Sequence, residues 1–164
     1  MRWSDLTAPF HPYDIEWRIS QCGMGRNNAP YAKVLAYVTN RAIMDRLDSV
    51  IGPDKWKNKF MPAPGGGVMC GISIRLNDEW ITKLDGADNT NIEAVKGGLS
   101  GAMKRAAVQW GIGRYLYRLT ENYAVISDQG AHYQRASTQG RNQYPAFRWD
   151  APKLPDWAIP ELKK

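Results

Sequence analysis

The sequence predicts an α+β fold, in which a meander of antiparallel strands packs on one long helix. Two observations favour this class. Short segments of alternating apolar and polar residues follow one another between residues 55 and 84, and residues 92–116 then show helical periodicity. A run of strands followed by a helix is typical of α+β domains rather than of alternating α/β folds.

The first part of the chain is predicted to form two strands and a helix. Residues 15–20 alternate between apolar and polar side chains, and residues 33–38 form a second strand-like run. Thr39 or Asn40 is a suitable N-cap for the helix that follows. Gly52-Pro53 is expected to end this helix, because glycine and proline both interrupt helical geometry.

The middle of the chain is predicted to form three strands, at residues 55–61, 68–76 and 79–84. Asn77-Asp78 separates the last two and is typical of a tight hairpin turn. Residues 85–90 are polar, so they are expected to form a loop before the long helix. A short last strand is predicted in the segment ENYAVIS after Leu119.

The helix at residues 92–116 has an apolar stripe and, opposite to it, a side with glycines and basic residues. The stripe consists of Ile92, Val95, Leu99, Met103, Ala106 and Trp110, which recur three or four residues apart. At about 100° per residue, Lys104 lies near Gly97 and Gly101, and Lys96 and Arg105 border that side.

The glycines in this helix need an explanation, since each costs a helix about 1 kcal/mol relative to alanine. Something is expected to approach the bare backbone closely at these positions. One interpretation is a sugar-phosphate chain held by Lys and Arg, and the other is a helix crossing with solvated lysines nearby.

The charge and the cysteine content indicate which partners and which kinds of site the protein can have. The net charge of +6 suits a polyanionic partner. Cys22 and Cys70 lack metal-ligand spacing, and neither lies near His11 or His132, so we expect free thiols, no zinc site and a cytoplasmic setting. The sequence has no signal peptide and no apolar segment of membrane-spanning length, so no membrane partner is expected.

The chain is predicted to form one core domain with a tail. Residues 1–125 contain the strands and helices and form the core domain. Residues 126–164 are predicted to be a partly mobile tail, because residues 128–146 are polar and rich in Gln, Gly, Ser and Arg. The final Pro- and Trp-containing segment is too short to fold alone and is expected to dock on the core or on a neighbouring chain.

The sequence contains no organised catalytic site. No GxxxxGK[ST] loop is present, so ATP use and other cofactors are not expected. Asp85, Asp88 and Glu93 precede or begin the long helix, where Glu93 is interpreted as a favourable charge near a helix N-terminus. A metal-binding role for these acids is the alternative, and it would make the protein a metal-dependent nuclease.

Two blocks carry a family resemblance. KGGLSGAMKRAAVQWGIGRYLY and YVTNRAIMDRLDSVIGPDKW resemble the signature helix and the first long helix of the single-strand annealing recombinases of the Rad fifty-two, DdrA and phage Sak type. PFHPYDIEWRI and FRWDAPKLPDWAIP are similar to the DdrA-like branch. The match covers most of residues 9–120, with the blocks in the family's order.

The resemblance implies a groove for a single strand whose basic residues are matched here by Arg41, Lys96, Lys104 and Arg105. Val108 stands where eukaryotic relatives have a further arginine. Arg114 is interpreted either as a partial replacement of that charge or as a member of a structural ion pair. Lys55, Lys57 and Lys59 are candidates for the family's second, duplex-related site, and Trp56 between them is interpreted as a core residue.

The implied function is ATP-independent single-stranded DNA binding and annealing in recombination or repair, in a bacterium or a phage-infected cell. The resemblance also implies side-by-side assembly of protomers into a ring or helical arc. Further partners that fit this function are a single-strand binding protein or an exonuclease. The alternatives are a non-annealing protein that protects single-stranded ends, and the nuclease described above.

Overall fold

The structure is a computed structural model that describes residues 2–88, 94–139 and 142–161, with side chains omitted at residues 94–96. It confirms the α+β class, with few helices and antiparallel sheets. The helices and strands, in chain order, are α1 (Trp3–Thr7), β1 (Ile15–Met24), β2 (Pro30–Val38), α2 (Asn40–Val50), β3 (Trp56–Pro62), β4 (Val68–Leu76), β5 (Glu79–Ala87), α3 (Ala94–Gln109), β6 (Val125–Ile126), β7 (His132–Gln134) and β8 (Phe147–Asp150).

β1 and β2 form an antiparallel hairpin with a bulge between Ile19 and Gln21. Both strands are longer than the sequence predicts, since β1 continues to Met24 and β2 already begins at Pro30. α2 follows directly, and its predicted cap is confirmed: the Thr39 hydroxyl accepts a hydrogen bond of 3.2 Å from the backbone N–H of Ala42. The hairpin is therefore joined to the helical part of the core by a well-defined turn.

β3, β4 and β5 form an antiparallel meander, which packs against α3. The predicted turn between β4 and β5 is confirmed, with φ of 48° at Asn77 and 66° at Asp78, a left-handed conformation that these two residue types tolerate. The loop predicted at residues 85–90 is wrong at its start, because β5 continues to Ala87. Cys70 and Val68 pair with Asp85 and Ala87, which keeps this polar segment in the sheet.

α3 is shorter than the predicted helix at residues 92–116. It ends at Gln109, and Gly111 and Gly113 follow with φ of 88° and 70°. These left-handed conformations suit glycine and stop a helix. A short 3₁₀ helix, Arg114–Arg118, continues the chain. Ile92 at the start of the predicted stripe lies outside the described residues, whereas Met103, Ala106 and Trp110 are buried as expected.

Two apolar clusters hold the fold together. The larger cluster lies between α1, α2, α3 and the inner face of β4, and its fully buried members include Leu6, Ile43, Leu47, Ile72 and Ile74. The smaller cluster joins Ala32 and Val34 of β2 to Phe147 and Trp149 of β8. Ile15 of β1 and Val38 of β2 also belong to the larger cluster, so the hairpin contributes to both clusters.

The C-terminal segment packs on the hairpin. β6, β8 and β7 form a small antiparallel sheet, whose inner face buries Phe147 and Trp149. Residues 122–124 run beside β2, where the N–H of Ala124 donates to Ala32 and the N–H of Val34 donates to Asn122, each over 2.9 Å. The expected docking on the core is therefore observed at the hairpin, while the domain boundary at residue 125 stays a prediction. No helix in the described part of the chain is both long and apolar enough to cross a membrane.

Candidate nucleic-acid interface

Lys104 and Arg105 are neighbours in α3, but their side chains contact different elements of the fold. The Lys104 ammonium lies 4.2 Å from the ring centre of Tyr37 in β2. The Arg105 guanidinium instead donates to Asp85 in β5 over 2.9 Å. Successive helical residues differ by about 100° in direction, which explains the separation. We call the side of α3 facing the hairpin the hairpin flank, and the side facing β5 the sheet flank.

On the hairpin flank, Lys104 is half-buried over an aromatic ring. Burial lowers the pKa of Lys104, and the charge of Arg18 lowers it further, whereas the charge of Glu16 opposes the change. The pKa of Tyr37 is raised to about 12 by burial and by a hydrogen bond to Glu16. Within the described residues, Lys104 has no carboxylate at ion-pair distance, so its charge is balanced mainly by the ring and by solvent.

Lys104 also borders a cavity of about 270 Å³, which we call the hairpin cavity. Its walls come from the hairpin, α2, α3 and the chain after α3, and they are mainly apolar. The lining residues are Arg18, Leu35, Ala36, Tyr37, Val38, Ile43, Lys104, Val108, Ile112, Gly113, Leu116, Tyr117 and Leu119. Val108, where the resemblance leads one to expect arginine, therefore adds an apolar wall rather than a third cation.

On the sheet flank, Arg105 belongs to a hydrogen-bond network centred on Asp85. The Asp85 carboxylate accepts from Arg105, from the side chain of Gln109 over 3.1 Å and from the backbone N–H of Gly86 over 2.8 Å. Burial alone would raise the pKa of Asp85, but these hydrogen bonds and the Arg105 charge together lower it. The Asp85 side chain is only 19% exposed, whereas that of Arg105 is 55% exposed.

Arg114 lies at the C-terminal end of α3 and satisfies its carbonyl groups. Its guanidinium donates to the carbonyl oxygens of Val108 and Gln109, each over 2.9 Å. Lys83 donates to the same Gln109 carbonyl over 2.9 Å, and its ammonium lies 4.6 Å from the ring centre of Trp110. Cations are favourable at a helix C-terminus, so Arg114 has a structural role, although its partners are carbonyls rather than the predicted ion pair.

The other two predicted basic residues differ in how far the structure describes them. Arg41 lies in the first turn of α2 and is exposed. Among the described residues it has no hydrogen bond or ion pair, so its charge is available to a ligand. The backbone of Lys96 belongs to α3, but its side chain lies outside the described set. The basic residues predicted for one groove therefore occupy several distinct environments.

The glycines of α3 are explained at least partly by packing within the chain. A Cβ atom at Gly101 would lie 3.1 Å from the Cβ of Ala87 in β5. Gly98 is buried as well. The interpretation of Gly101 as an approach point for a sugar-phosphate chain is therefore wrong, because a strand of the sheet approaches there. The alternative interpretation, a helix crossing, is also wrong in its partner, because the element that packs on Gly101 is the strand β5 rather than a second helix.

The basic residues of β3 lie on a different surface from the hairpin flank. Lys57 is exposed, and its ammonium lies 4.1 Å from the ring centre of Trp80 on the sheet face opposite α3. Trp56 is half-buried: it packs against the margin of the larger apolar cluster and its indole N–H donates to Asp48 over 2.6 Å, so its interpretation as a core residue holds only in part. Lys57 and Trp80 thus form a small cation–aromatic surface on the face of the meander that does not carry Lys104.

The candidate metal-binding acids do not gather in the described part of the chain. Asp85 is held by Arg105, Gln109 and Gly86, and Glu93 lies outside the described residues. No group of three or more His, Cys, Asp or Glu side chains suited to a metal ion occurs within residues 2–88, 97–139 and 142–161.

Sequence reasoning missed Tyr37 and Arg18, which complete the surroundings of Lys104. Tyr37 and Glu16 are paired in the hairpin, as are Leu35 and Arg18, so all four side chains lie on one face. The alternation in β2 contains that information. The contact with Lys104 does not follow from it, because it joins residues far apart in the chain.

Comparison with known proteins gives one matching family and two similar proteins. The family described as "Rad52/22 family double-strand break repair protein" matches residues 3–135. The protein named single-stranded DNA-binding protein DdrA from Deinococcus radiodurans is 34% identical over 161 residues, which cover 97% of this chain and 68% of that protein. The protein of the same name from Deinococcus deserti is 31% identical over 97% of this chain and 70% of its own length.

No solved structure gives a significant match to the chain. The family match nevertheless spans most of the chain, including the hairpin, the β3–β5 meander and α3. On this evidence the chain belongs to the Rad52/22 family of double-strand break repair proteins.

Proposed function

We propose that the chain binds single-stranded DNA and anneals complementary strands without ATP. The observation that carries the proposal is the position of Lys104, over the Tyr37 ring and beside Arg18 and the hairpin cavity. Cations next to aromatic rings suit a single strand, because phosphates contact the cations and bases stack on the rings. Two similar proteins carry the name single-stranded DNA-binding protein, which supports the same ligand.

The contribution of the remaining basic residues follows from their partners. Arg41 is exposed and unpaired among the described side chains, so it can contact a phosphate at little cost. Arg105 reaches solvent although it donates to Asp85, and we assign it a secondary phosphate contact. Lys96 is included as a further contact on its position in α3 alone. Arg114 acts mainly by stabilising the end of α3.

The mechanism is physical rather than covalent. Neutralising phosphates releases condensed counterions, which favours binding without regard to base sequence. A strand held in an extended form presents its bases to a complementary strand, so base pairing supplies the specificity. Duplex formation lowers the free energy by itself, and for that reason no nucleotide hydrolysis is required.

Assembly of several protomers is part of the proposal. β3 and β5 are the outer strands of the three-stranded meander, and along most of their length their side chains are exposed. An open sheet edge tends to pair with another chain unless it is covered. Edge-to-edge pairing of β3 and β5 between copies would extend the sheet into a ring or arc and align the Lys104 sites along one strand.

The proposal is tested by mixing two complementary oligonucleotides, one labelled with a fluorophore and one with a quencher, with and without the protein. We expect the protein to accelerate annealing in buffer that contains EDTA and no ATP. Binding without faster annealing would favour the end-protection alternative, and strand cleavage after addition of Mg²⁺ or Mn²⁺ would favour the nuclease. A strict ATP requirement would contradict the mechanism.

The salt dependence of binding tests the electrostatic part of the same proposal. For single strands the slope of log K against log salt is about −0.7 per phosphate contacted. We expect a clearly negative slope for an oligothymidine and a shallower one for Arg41→Ala. Binding that does not change with salt would contradict a phosphate-based site.

A further inference from the structure

The outward face of β2 carries an ordered series of aromatic, basic and apolar side chains. Tyr31, Lys33, Leu35 and Tyr37 alternate along the strand with Ala32 and Val34, which are buried in the smaller apolar cluster. Because side chains alternate between the two faces of a strand, the four residues share the face directed away from that cluster. From Tyr31 to Tyr37 this row covers about 20 Å, at roughly 3.3 Å per residue.

The segment after α3 adds a second aromatic residue to one end of the row. Lys33 and Tyr123 are directly paired by an antiparallel bridge, and the Lys33 ammonium lies 5.6 Å from the centre of the Tyr123 ring. The rings of Tyr31 and Tyr123 meet edge to face at 6.4 Å between centres. Tyr123 is 46% exposed, so part of its side chain is open to solvent at this end of the row.

The other end of the row reaches the proposed Lys104 site. Tyr37 lies under the Lys104 ammonium, and Leu35 and Arg18 line the hairpin cavity. Tyr117, which is 69% exposed, also lines that cavity. A strand bound at Lys104 can therefore continue along β2 without leaving surfaces that offer cations and rings.

The charges along the row favour a polyanion. Arg18, Lys33 and Lys104 are its cations. The carboxylates beside them are Glu16, which accepts a hydrogen bond from Tyr37, and Glu121, which lies 3.7 Å from Lys33. Cations therefore outnumber carboxylates. The Glu121 side chain is largely exposed and that of Lys33 partly exposed, so their ion pair is weak and a phosphate can compete for Lys33.

We propose that this row, from Lys104 through Tyr37 and Leu35 to Lys33, Tyr31 and Tyr123, is a base-stacking track for the single strand. The proposal rests on the proposed function and specifies where the strand leaves α3. Bases stack on the tyrosine rings, and Arg18 and Lys33 contact phosphates. Stacking accepts every base, so the track binds without sequence preference. It anchors one part of the strand while the part at α3 remains open to pairing.

The track is tested with oligothymidines of increasing length and with variants of Tyr31 and Tyr123. We expect Tyr123→Leu and Tyr31→Leu to weaken binding of long oligonucleotides by roughly tenfold each, as loss of one stacked base implies. Binding of oligonucleotides too short to extend beyond the Lys104 site should stay the same. Tyr123→Phe keeps the ring and should bind as the wild type does.

Tyr13→Leu is the matched control, because Tyr13 is 92% exposed and, among the described residues, its ring stacks on His11 and on no member of the track. Photo-crosslinking of the wild-type protein to an oligonucleotide containing 5-iodouracil gives an independent measurement. Crosslinks at Tyr31 or Tyr123 support the track. If both leucine variants bind with wild-type affinity and the crosslinks lie elsewhere, the track is wrong but the proposed function still stands. Absence of binding by the wild-type protein overturns the proposed function, and the track with it.

Discussion

The two flanks of α3 both place a lysine beside an aromatic ring, yet the lysines have different partners. On the hairpin flank, Lys104 lies over Tyr37 beside an open cavity and has no carboxylate at ion-pair distance among the described residues. On the sheet flank, Lys83 lies over Trp110 and also donates to the end of α3, while Arg105 donates to Asp85.

The difference teaches that the number of cations on a helix does not identify a ligand site. Arg105, Lys83 and Arg114 all donate hydrogen bonds to acceptors within the chain. The bonds of Arg105 and Lys83 join α3 to β5 of the meander, whereas those of Arg114 satisfy carbonyls at the end of α3 itself. Lys104 faces a surface where a ligand can supply the missing negative charge. We therefore assign binding mainly to the hairpin flank and structural stabilisation mainly to the sheet flank.

The largest expected effect on stability concerns Gly101. Gly101→Leu forces a large side chain against Ala87, and overpacking of this kind costs about 1–3 kcal/mol. The helix-propensity gain of about 1 kcal/mol offsets only part of it. We expect thermal unfolding to show a clear decrease in Tm, with Gly101→Ala much closer to the wild type. A Leu variant that is more stable but binds DNA poorly would mean that Gly101 faces the ligand after all.

A smaller loss is expected from Asp85→Asn. The change weakens hydrogen bonds from Arg105, Gln109 and Gly86 to a charged group, which we expect to cost about 1–2 kcal/mol of unfolding free energy. The Asp85 carboxylate competes with a DNA phosphate for the Arg105 guanidinium. Its loss should therefore raise DNA affinity slightly. Denaturant unfolding and oligonucleotide titration of the same preparation measure both effects.

The pH dependence of stability gives a second readout for Asp85. Its pKa is lowered in the folded state, so its stabilising contribution is fully present above the unfolded-state pKa of about 3.9 and is lost as the pH falls through the folded-state pKa. The wild-type protein should therefore lose more stability than Asp85→Asn on acidification below about pH 4. Parallel curves for the two proteins would contradict the hydrogen-bond network.

The smallest effect is expected from Arg114→Ala, compared with Arg41→Ala. Arg114→Ala removes two hydrogen bonds at the end of α3 and should cost about 0.5–1 kcal/mol, because Lys83 still donates to Gln109. Arg41→Ala should leave Tm unchanged and weaken DNA binding instead. Thermal unfolding and binding titrations separate the two roles, and the reverse pattern would exchange the assignments.

Much of the fold follows from local sequence patterns. Alternation locates the strands of the meander, Asn77-Asp78 marks the turn between β4 and β5, and Thr39 marks the start of α2. These features depend on residues close together in the chain. The sequence prediction ends β5 too early, because an aspartate such as Asp85 is typical of a loop. Asp85 is suitable for a strand facing α3 because its carboxylate accepts a hydrogen bond from Arg105, twenty positions later.

The candidate site could be predicted only in part. The resemblance identifies Lys104 and Arg105, but their separation onto two flanks depends on the packing of α3 between the hairpin and β5. The partner that fixes Lys104 is Tyr37, which is distant in sequence. Likewise, the C-terminal sheet buries Phe147 and Trp149 against Ala32 and Val34, a long-range contact that no local pattern reveals.

The most direct test of the central claim compares Lys104→Gln with Arg105→Gln in binding to a fluorescent oligothymidine at low salt. Both substitutions remove one charge and keep a polar side chain, and thermal unfolding confirms that each variant is folded. We expect Lys104→Gln to lose about tenfold or more in affinity, as the loss of a charge-assisted contact implies, and Arg105→Gln to lose clearly less. Wild-type affinity in a folded Lys104→Gln variant, or a larger loss in Arg105→Gln, would contradict the assignment of binding to the hairpin flank.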